Sequence, residues 1–215
     1  MQIRKRSMHN YALLRRQLRE ELSQKGITDK KVLNAIATIP REHFVLENYH
    51  DLAYTDQALP SVGQQTISQP YTVAFMLQLL EVKKGMKILE IGTGSGYNAA
   101  LLSLLAYPGK VFTCEINKQA YVFGKKNLEP YKNVYVFLQD GSQGLDDLTP
   151  FDRMIITAAA SEIPPKLIGQ LKDPGILVAP VGSSQHQIMI RLIKKKKKIT
   201  TEEHGDFVFV PLIKE

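Results

Sequence analysis

The chain has no tryptophan and only one cysteine, Cys114. A single thiol cannot close an internal disulfide, so the stapled secreted scaffolds are excluded and a reducing cytoplasm is the expected setting. Long apolar runs are missing too: none approaches the ~18 residues of a membrane span. The basic opening Met1-Gln2-Ile3-Arg4-Lys5-Arg6 is not followed by a signal-type apolar segment, so neither export nor a membrane partner is expected. Acidic residues are the scarcer charge, with 21 Asp and Glu against 28 Lys and Arg and a formal charge of +7. That surplus suits an anionic partner such as nucleic acid, or simply a solvated surface, and the second reading is preferred because charge says nothing about fold. His9, His43, His50, His186 and His204 stand at no metal-ligand spacing, so metal catalysis is not expected.

What remains is ordinary globular material, 44% hydrophobic and 23% charged over 215 residues, enough for one α/β core with an extension. Leu14, Leu18 and Leu22 repeat at four-residue spacing and predict a helix over residues 11–22, stopped near Gly26. Val32, Leu33, Ile36 and Ile39 predict a second helix, closed by Pro40. Residues 41–69 keep no period, and a loop of that length in a compact domain is usually functional, so it reads as a covering segment. A helix is predicted over residues 71–80, then strands over 87–91, 110–115, 134–138, 153–157 and 176–180 with helical segments between them. The expected fold is a doubly wound, mostly parallel, Rossmann-like α/β sheet. Two antiparallel edge strands, residues 187–194 and 207–213, are expected to bracket a solvated lysine-rich hairpin at 194–198. The expected organisation is one compact unit, with N-terminal helices and the covering loop in residues 1–69 and a cofactor-binding core in 70–215.

Glu90-Ile91-Gly92-Thr93-Gly94-Ser95-Gly96-Tyr97 follows the first predicted core strand and opens a helix, where glycines admit positive φ and close approach of a ligand. A dinucleotide fingerprint would need glycine at 97, which is tyrosine, so NAD is disfavoured. A G-x-G-x-G turn preceded by an acid suits S-adenosyl-L-methionine, which has no pyrophosphate but carries an ammonium, a carboxylate and a sulfonium. Glu90 would balance the positive groups. Glu115, ending the second core strand, stands where a carboxylate accepts from ribose hydroxyls, and Asp140-Gly141, after the third, would meet the adenine. Each acid also has a plain structural alternative: a strand-end charge for Glu90, a helix cap before Asn117 for Glu115, a turn former for Asp140.

Upstream stand Tyr54-Thr55-Asp56-Gln57-Ala58-Leu59-Pro60 and Gln65-Thr66-Ile67-Ser68-Gln69-Pro70-Tyr71. Read locally, Ser68 is a helix-capping residue beside Pro70. The A-L-P element followed by Q-T-I-S-x-P nevertheless resembles the protein-L-isoaspartate (D-aspartate) O-methyltransferase family, of the class I S-adenosylmethionine-dependent methyltransferases. The resemblance runs in order through Ile39-Pro40-Arg41, Phe44-Val45, the glycine turn, Asp140-Gly141, Ala158-Ala159, Pro180-Val181-Gly182 and Phe209-Val210-Pro211-Leu212, spanning roughly residues 32 to 212. The chain departs from the family pattern at Gln64 and Gln139, each standing where glycine is usual, and at Arg153-Met154, which replaces a small-apolar pair often seen after Asp152. If Gln64 adopts positive φ, the turn carries a strain of roughly 1 kcal/mol.

The resemblance implies methyl transfer from S-adenosyl-L-methionine, leaving S-adenosyl-L-homocysteine, to the free carboxylate of isoaspartyl residues in damaged proteins and peptides; the ester then collapses through a succinimide. It implies that Ser68 is catalytic, that Glu90, Gly92, Thr93, Gly94, Ser95, Gly96, Glu115, Asp140 and Gly141 hold the cofactor, and that Asp56, Thr66, Ile67, Tyr71, Val208 and Val210 face the substrate. For Val208 and Val210 edge-strand packing is the simpler reading. The chemistry is consistent, because a carboxylate with a reference pKa near 3.5 to 4 is ionised at neutral pH and needs no strong base. No G-x-S-x-G elbow surrounds Ser68, so a serine hydrolase is excluded. A monomer acting without nucleic acid is expected; the competing classes are an RNA methyltransferase and a catalytically silent binding module of the same fold.

Overall fold

The structure, a computed structural model, describes residues 10–183 and 185–213. Two helices come first, α1 (Tyr11–Gln24) and α2 (Lys30–Thr38). Each starts on a side-chain cap: Asn10 accepts from the Leu13 amide at 3.1 Å, and Asp29 accepts from the amides of Lys31 and Val32 at 2.7 and 3.3 Å. These are amides that an α-helix leaves unpaired, which is why Asn and Asp stand there. The covering segment is built from two 3-10 turns, Arg41–Phe44 and Glu47–Leu52, and from a two-residue antiparallel pair, β1 (Leu59–Pro60) with β2 (Thr66–Ile67). Then α3 (Pro70–Leu80) begins with proline in its first turn, where the missing N–H costs nothing.

The core alternates β3 (Lys87–Ile91), α4 (Tyr97–Ala106), β4 (Lys110–Glu115), α5 (Lys118–Asn127), β5 (Val134–Leu138), β6 (Phe151–Ile156), α6 (Pro165–Gln170), β7 (Leu171–Gly182), β8 (Gln187–Lys195) and β9 (Lys198–Phe207). The sheet order is β5-β4-β3-β6-β7-β8-β9, parallel from β5 to β7 and antiparallel for β8 and β9. Strand order therefore reverses at β3 and β6, and ligands of open α/β sheets bind beyond the carboxyl ends of the strands at that reversal. Ile88, Leu89, Glu90 and Ile91 are all buried, as a central parallel strand covered on both faces requires.

The C-terminal end departs from the sequence pattern. The last strand is Lys198–Phe207, not residues 207–213. Lys196 and Lys197 make the turn at φ 52 and 60, and their amides are received by the Asp173 carboxylate at 2.8 and 2.6 Å. This fixes Lys195 opposite Lys198, so the polar residues that follow, not the apolar ones, pair with β8. The apolar stretch instead crosses back over the sheet end, where the Ala159 amide donates to the Val210 carbonyl and the Leu212 amide to the Ala159 carbonyl, both at 2.7 Å. Lys194 is not solvated either, since its ammonium donates to the carbonyls of Ile168 and Leu171 at 2.9 and 2.7 Å. It thereby satisfies carbonyls at the carboxyl end of α6.

Leu18, Leu22 and Ile36 of the first two helices share one buried cluster with Leu77, Ile88 and Leu101 of the core. Ile36→Ala is therefore expected to destabilise by about 2–5 kcal/mol and to shift a single cooperative urea transition. Two separate transitions, with only one displaced, would contradict this shared packing.

Candidate active site

The glycine turn after β3 is held by its neighbour strand. The amides of Gly92 and Thr93 both donate to the Cys114 carbonyl, at 2.9 and 3.2 Å, and the Gly94 amide donates to the Glu115 carboxylate at 2.8 Å. Gly92 sits at φ +96, where a Cβ would also collide with the Thr157 hydroxyl; that hydroxyl donates to the Gly92 carbonyl at 2.8 Å. Behind the turn runs a polar chain, buried at Glu90, Thr93 and Thr113 and reaching the cleft at Asn98. The Thr113 hydroxyl donates to Glu90 at 2.6 Å, the Asn98 amide to the other Glu90 oxygen at 2.7 Å, and the hydroxyls of Thr93 and Thr113 lie 2.7 Å apart.

Over the carboxyl ends of β3, β4 and β6 lies a partly open cleft of about 910 Å³. Its wall includes Thr66, Ile67 and Ser68 from the covering segment, Gly92, Thr93, Gly94 and Ser95 from the turn, Glu115 and Gly141, and Val210 from the returning C-terminal stretch. Ten of the residues singled out in the sequence thus converge on one space. The others stand elsewhere. Glu90 is wholly buried behind the wall and reaches it through Asn98. Gly96 caps α4 at φ +88. Asp140 accepts from the amide and hydroxyl of Ser142 at 2.8 and 2.9 Å, which presents Gly141 to the cleft. A Cβ on Gly141 would lie 2.7 Å from Ile91 Cγ2 and 3.1 Å from Cys114 Cβ, so the chain here has no room for a side chain.

Asp56, expected near the substrate, receives the Tyr71 amide at 2.7 Å, the Lys25 ammonium at 2.6 Å and the Gln69 amide at 3.2 Å. It takes up an amide in the first turn of α3 from across the covering segment, and Ser68 is not the cap: Gln69 occupies that position without a side-chain bond. Tyr71 stacks on Phe75, with centroids 5.8 Å apart. Val208 is 78% exposed and off the wall. Gln64 does take positive φ, 59°, beside Gly63 at 66°. Their turn rests against Asn117, which caps α5 by accepting from Gln119 and Ala120 at 2.9 and 3.1 Å.

Sequence reading missed Gln65, Asn98, Thr157 and Arg41. Gln65 donates to Glu115 at 3.3 Å, and Glu115 also accepts the Asn117 amide at 2.9 Å. The helix-cap alternative and the cleft position of Glu115 are therefore both realised, and a carboxylate with about four acceptor sites has capacity for further donors. Thr157 was findable, since it follows the strand at the reversal point. Gln65 and Arg41 carried no local signal, because each acts on a partner tens of residues away.

Burial displaces several acidities at the site, among them those of Glu90 and Cys114. Burial pushes Glu90 up to about 7, helped by the neighbouring Glu115 charge and opposed by its bonds from Thr113 and Asn98. Burial likewise pushes Cys114 up to about 12, with Glu90, Asp140 and Glu115 adding to it. A buried thiol raised in this way is a poor nucleophile, in keeping with its place inside β4.

A reversing parallel sheet with a glycine turn on β3, an acid ending β4 and a cleft over both defines an S-adenosylmethionine-dependent α/β methyltransferase. Solved structures agree. A protein-L-isoaspartate O-methyltransferase superposes with a TM-score of 0.84 at 29% identity over 92% of this chain, which spans 65% of that longer one. A Plasmodium falciparum protein of the same description, in complex with S-adenosyl-L-homocysteine, gives 0.83 at 25% identity over 94% of this chain and 99% of its own. Among sequences, a protein-L-isoaspartate O-methyltransferase of Flavobacterium johnsoniae is 49% identical over 94% of this chain and 95% of its own, and that of Christiangramia forsetii 45% identical over 94% of each. The family model for protein-L-isoaspartate(D-aspartate) O-methyltransferase matches residues 14–215, and the chain belongs to that family.

The folded Glu90 carboxyl keeps its proton up to about 7, whereas in the unfolded chain it is released near a glutamate's ordinary 4.5. Between those values the unfolded chain binds fewer protons, so stability present below pH 4.5 is lost as pH rises through 7. Glu90→Gln lacks this loss. It is expected to exceed the unsubstituted protein at pH 8 by on the order of 3 kcal/mol and to match it at pH 4. A stability difference independent of pH would contradict the assignment.

Proposed function

We propose that the chain transfers the methyl group of S-adenosyl-L-methionine to the free carboxylate of L-isoaspartyl residues in damaged proteins and peptides, with D-aspartyl residues a second substrate class. The observation that carries this reading is the convergence, in one cleft, of the glycine turn and Glu115 with the Thr66, Ile67 and Ser68 segment. Bound there, the cofactor supplies a methyl carbon already activated by its sulfonium: a carbon–oxygen bond forms as the carbon–sulfur bond breaks, and the electron pair leaves on the thioether.

The chain's own residues supply position. Glu115, fixed by the Gly94 and Asn117 amides, is proposed to accept from the ribose hydroxyls, while Gly94, where a Cβ would meet only Gln65 Oε1 at 3.7 Å, leaves the turn open to close approach of the cofactor. Asp140 works at one remove by shaping the Gly141 turn, and Glu90 by orienting Asn98. Ser68 is proposed to donate to one oxygen of the accepting carboxylate and to aim the other, with no covalent intermediate. Thr66, Ile67 and Val210 form the adjoining wall, Asp56 and Tyr71 set the start of α3 beneath it, and Val208 stands at its exposed rim. No base is needed, since the nucleophile is ionised at neutral pH. Orientation of this kind supplies on the order of 7–11 kcal/mol at best. The methyl ester then cyclises to a succinimide without further help from the protein.

The same proposal has residues 1–69 and 70–215 working as one unit in the cytoplasm, as a monomer and without nucleic acid. Cys114, the sequence's single thiol and a buried one, suits a reducing compartment. Labelled S-adenosyl-L-methionine offered with matched isoaspartyl and aspartyl peptides, and with structured RNA in parallel, decides the substrate. Label is expected on the isoaspartyl peptide alone; label on RNA, or no preference between the peptides, would overturn the reading. Ser68→Ala is expected to bind S-adenosyl-L-homocysteine normally and to lose on the order of tenfold or more in turnover, as removal of a group felt in the transition state does. Unchanged turnover would remove Ser68 from the chemistry.

A further inference from the structure

Arg41 lies in the short turn Arg41–Phe44 and is wholly buried. A guanidinium has five N–H donors, and burying it is costly unless they find acceptors or an anion. Arg41 meets that demand only in part. Nη2 donates to the Ser68 carbonyl at 2.9 Å, and the cation lies 4.9 Å from the centroid of the Tyr97 ring. Its Nε and Nη1 have no hydrogen-bond partner, nor does the Tyr97 hydroxyl. The adjacent carboxylate, Glu42, is turned to Arg15, at 2.9 Å, and to the Tyr54 hydroxyl. Among the described residues no carboxylate forms an ion pair with Arg41.

The carbonyl that Arg41 bonds and the ring it lies over belong to Ser68 and Tyr97, both on the cleft wall but from different parts of the chain. Ser68 ends the covering segment before α3. Tyr97 is the first residue of α4, directly after the glycine turn. We propose that Arg41 is a positioning residue that fixes the serine-bearing segment against the start of the cofactor helix, holding the two ends of the cleft at one spacing. The inference rests on the reading that the accepting carboxylate is presented against the Ser68 segment, whose backbone carbonyl Arg41 holds. It explains why a charged side chain stands at a site where an apolar one would pack at lower cost. Lysine would keep the charge but lose the planar fork that both donates to a carbonyl and lies over a ring.

The test compares Arg41→Lys, Arg41→Gln and Ser68→Ala by S-adenosyl-L-homocysteine calorimetry and by isoaspartyl-peptide kinetics. Because a misplacement of about 1 Å costs on the order of a hundredfold in an oriented transfer, both Arg41 variants are expected to lose on the order of ten- to a hundredfold in kcat. Their S-adenosyl-L-homocysteine affinity is expected to stay within about threefold of the unsubstituted protein, and peptide KM to move less than kcat. If Arg41→Gln does not fold, Arg41→Lys decides alone. Wild-type kcat in Arg41→Lys overturns the proposal, as does a cofactor affinity that falls in step with kcat, which would mark a general packing role. Loss of kcat in Arg41→Lys with none in Ser68→Ala would support positioning by Arg41 and remove the serine reading, whereas the reverse pattern overturns Arg41 alone.

Discussion

The Cys114 carbonyl, accepting the amides of both Gly92 and Thr93, is the contact from which the site is built. It forces the chain leaving β3 to lean over the end of β4 instead of running straight into a helix. The Gly94 amide then falls within 2.8 Å of Glu115, and α4 starts where Tyr97 is brought beneath the covering segment. A side chain at Gly92 is excluded by both its φ and the Thr157 hydroxyl, so neighbours on either side of β3 determine the same residue. The cleft is thus a consequence of strand order: only where β4 and β6 flank β3 can one turn meet the ends of both.

Buried polarity is divided between two jobs. Around Glu90 every partner is a protein group, and the enclosed chain through Thr113 and Thr93 stiffens the turn from behind. The Glu90 oxygens and the two threonine hydroxyls are satisfied there, Asn98 Oδ1 alone being left without a partner, and satisfied polar groups in a low-dielectric interior specify a single arrangement. Around Ser68 the support comes from the covering segment instead. Asp56 ties Lys25 of the region after α1 to the first turn of α3, and Arg41 holds the serine carbonyl. The N-terminal region therefore does more than cover the core; it carries anchors for the Ser68 side of the cleft.

Much of this was legible in the sequence, for identifiable reasons. The strands Lys87–Ile91, Lys110–Glu115 and Val134–Leu138 were readable because parallel strands are short apolar runs between helical segments. The glycine turn declared itself by residue type, and the positive φ at Gln64 by its departure from a glycine position. What was not legible depends on contacts distant in sequence. Glu90 is acidic and ends near the right strand tip, yet its side chain points into the enclosed polar chain and meets the cleft only through Asn98. Asp56 looks like a substrate contact until α3 is seen to start beside it. The final apolar stretch alternates as a strand would, but the turn at Lys196 and Lys197 commits the preceding polar residues to β8 and leaves it to bond with Ala159.

The most direct test of the account is a crystal structure of the chain with S-adenosyl-L-homocysteine and an isoaspartyl peptide bound together. The nucleoside is expected against Glu115 and the glycine turn, with the peptide carboxylate within hydrogen-bond reach of the Ser68 hydroxyl. A peptide carboxylate seated away from the Ser68 segment, or a nucleoside held anywhere other than over the turn that Cys114 pins, would contradict it.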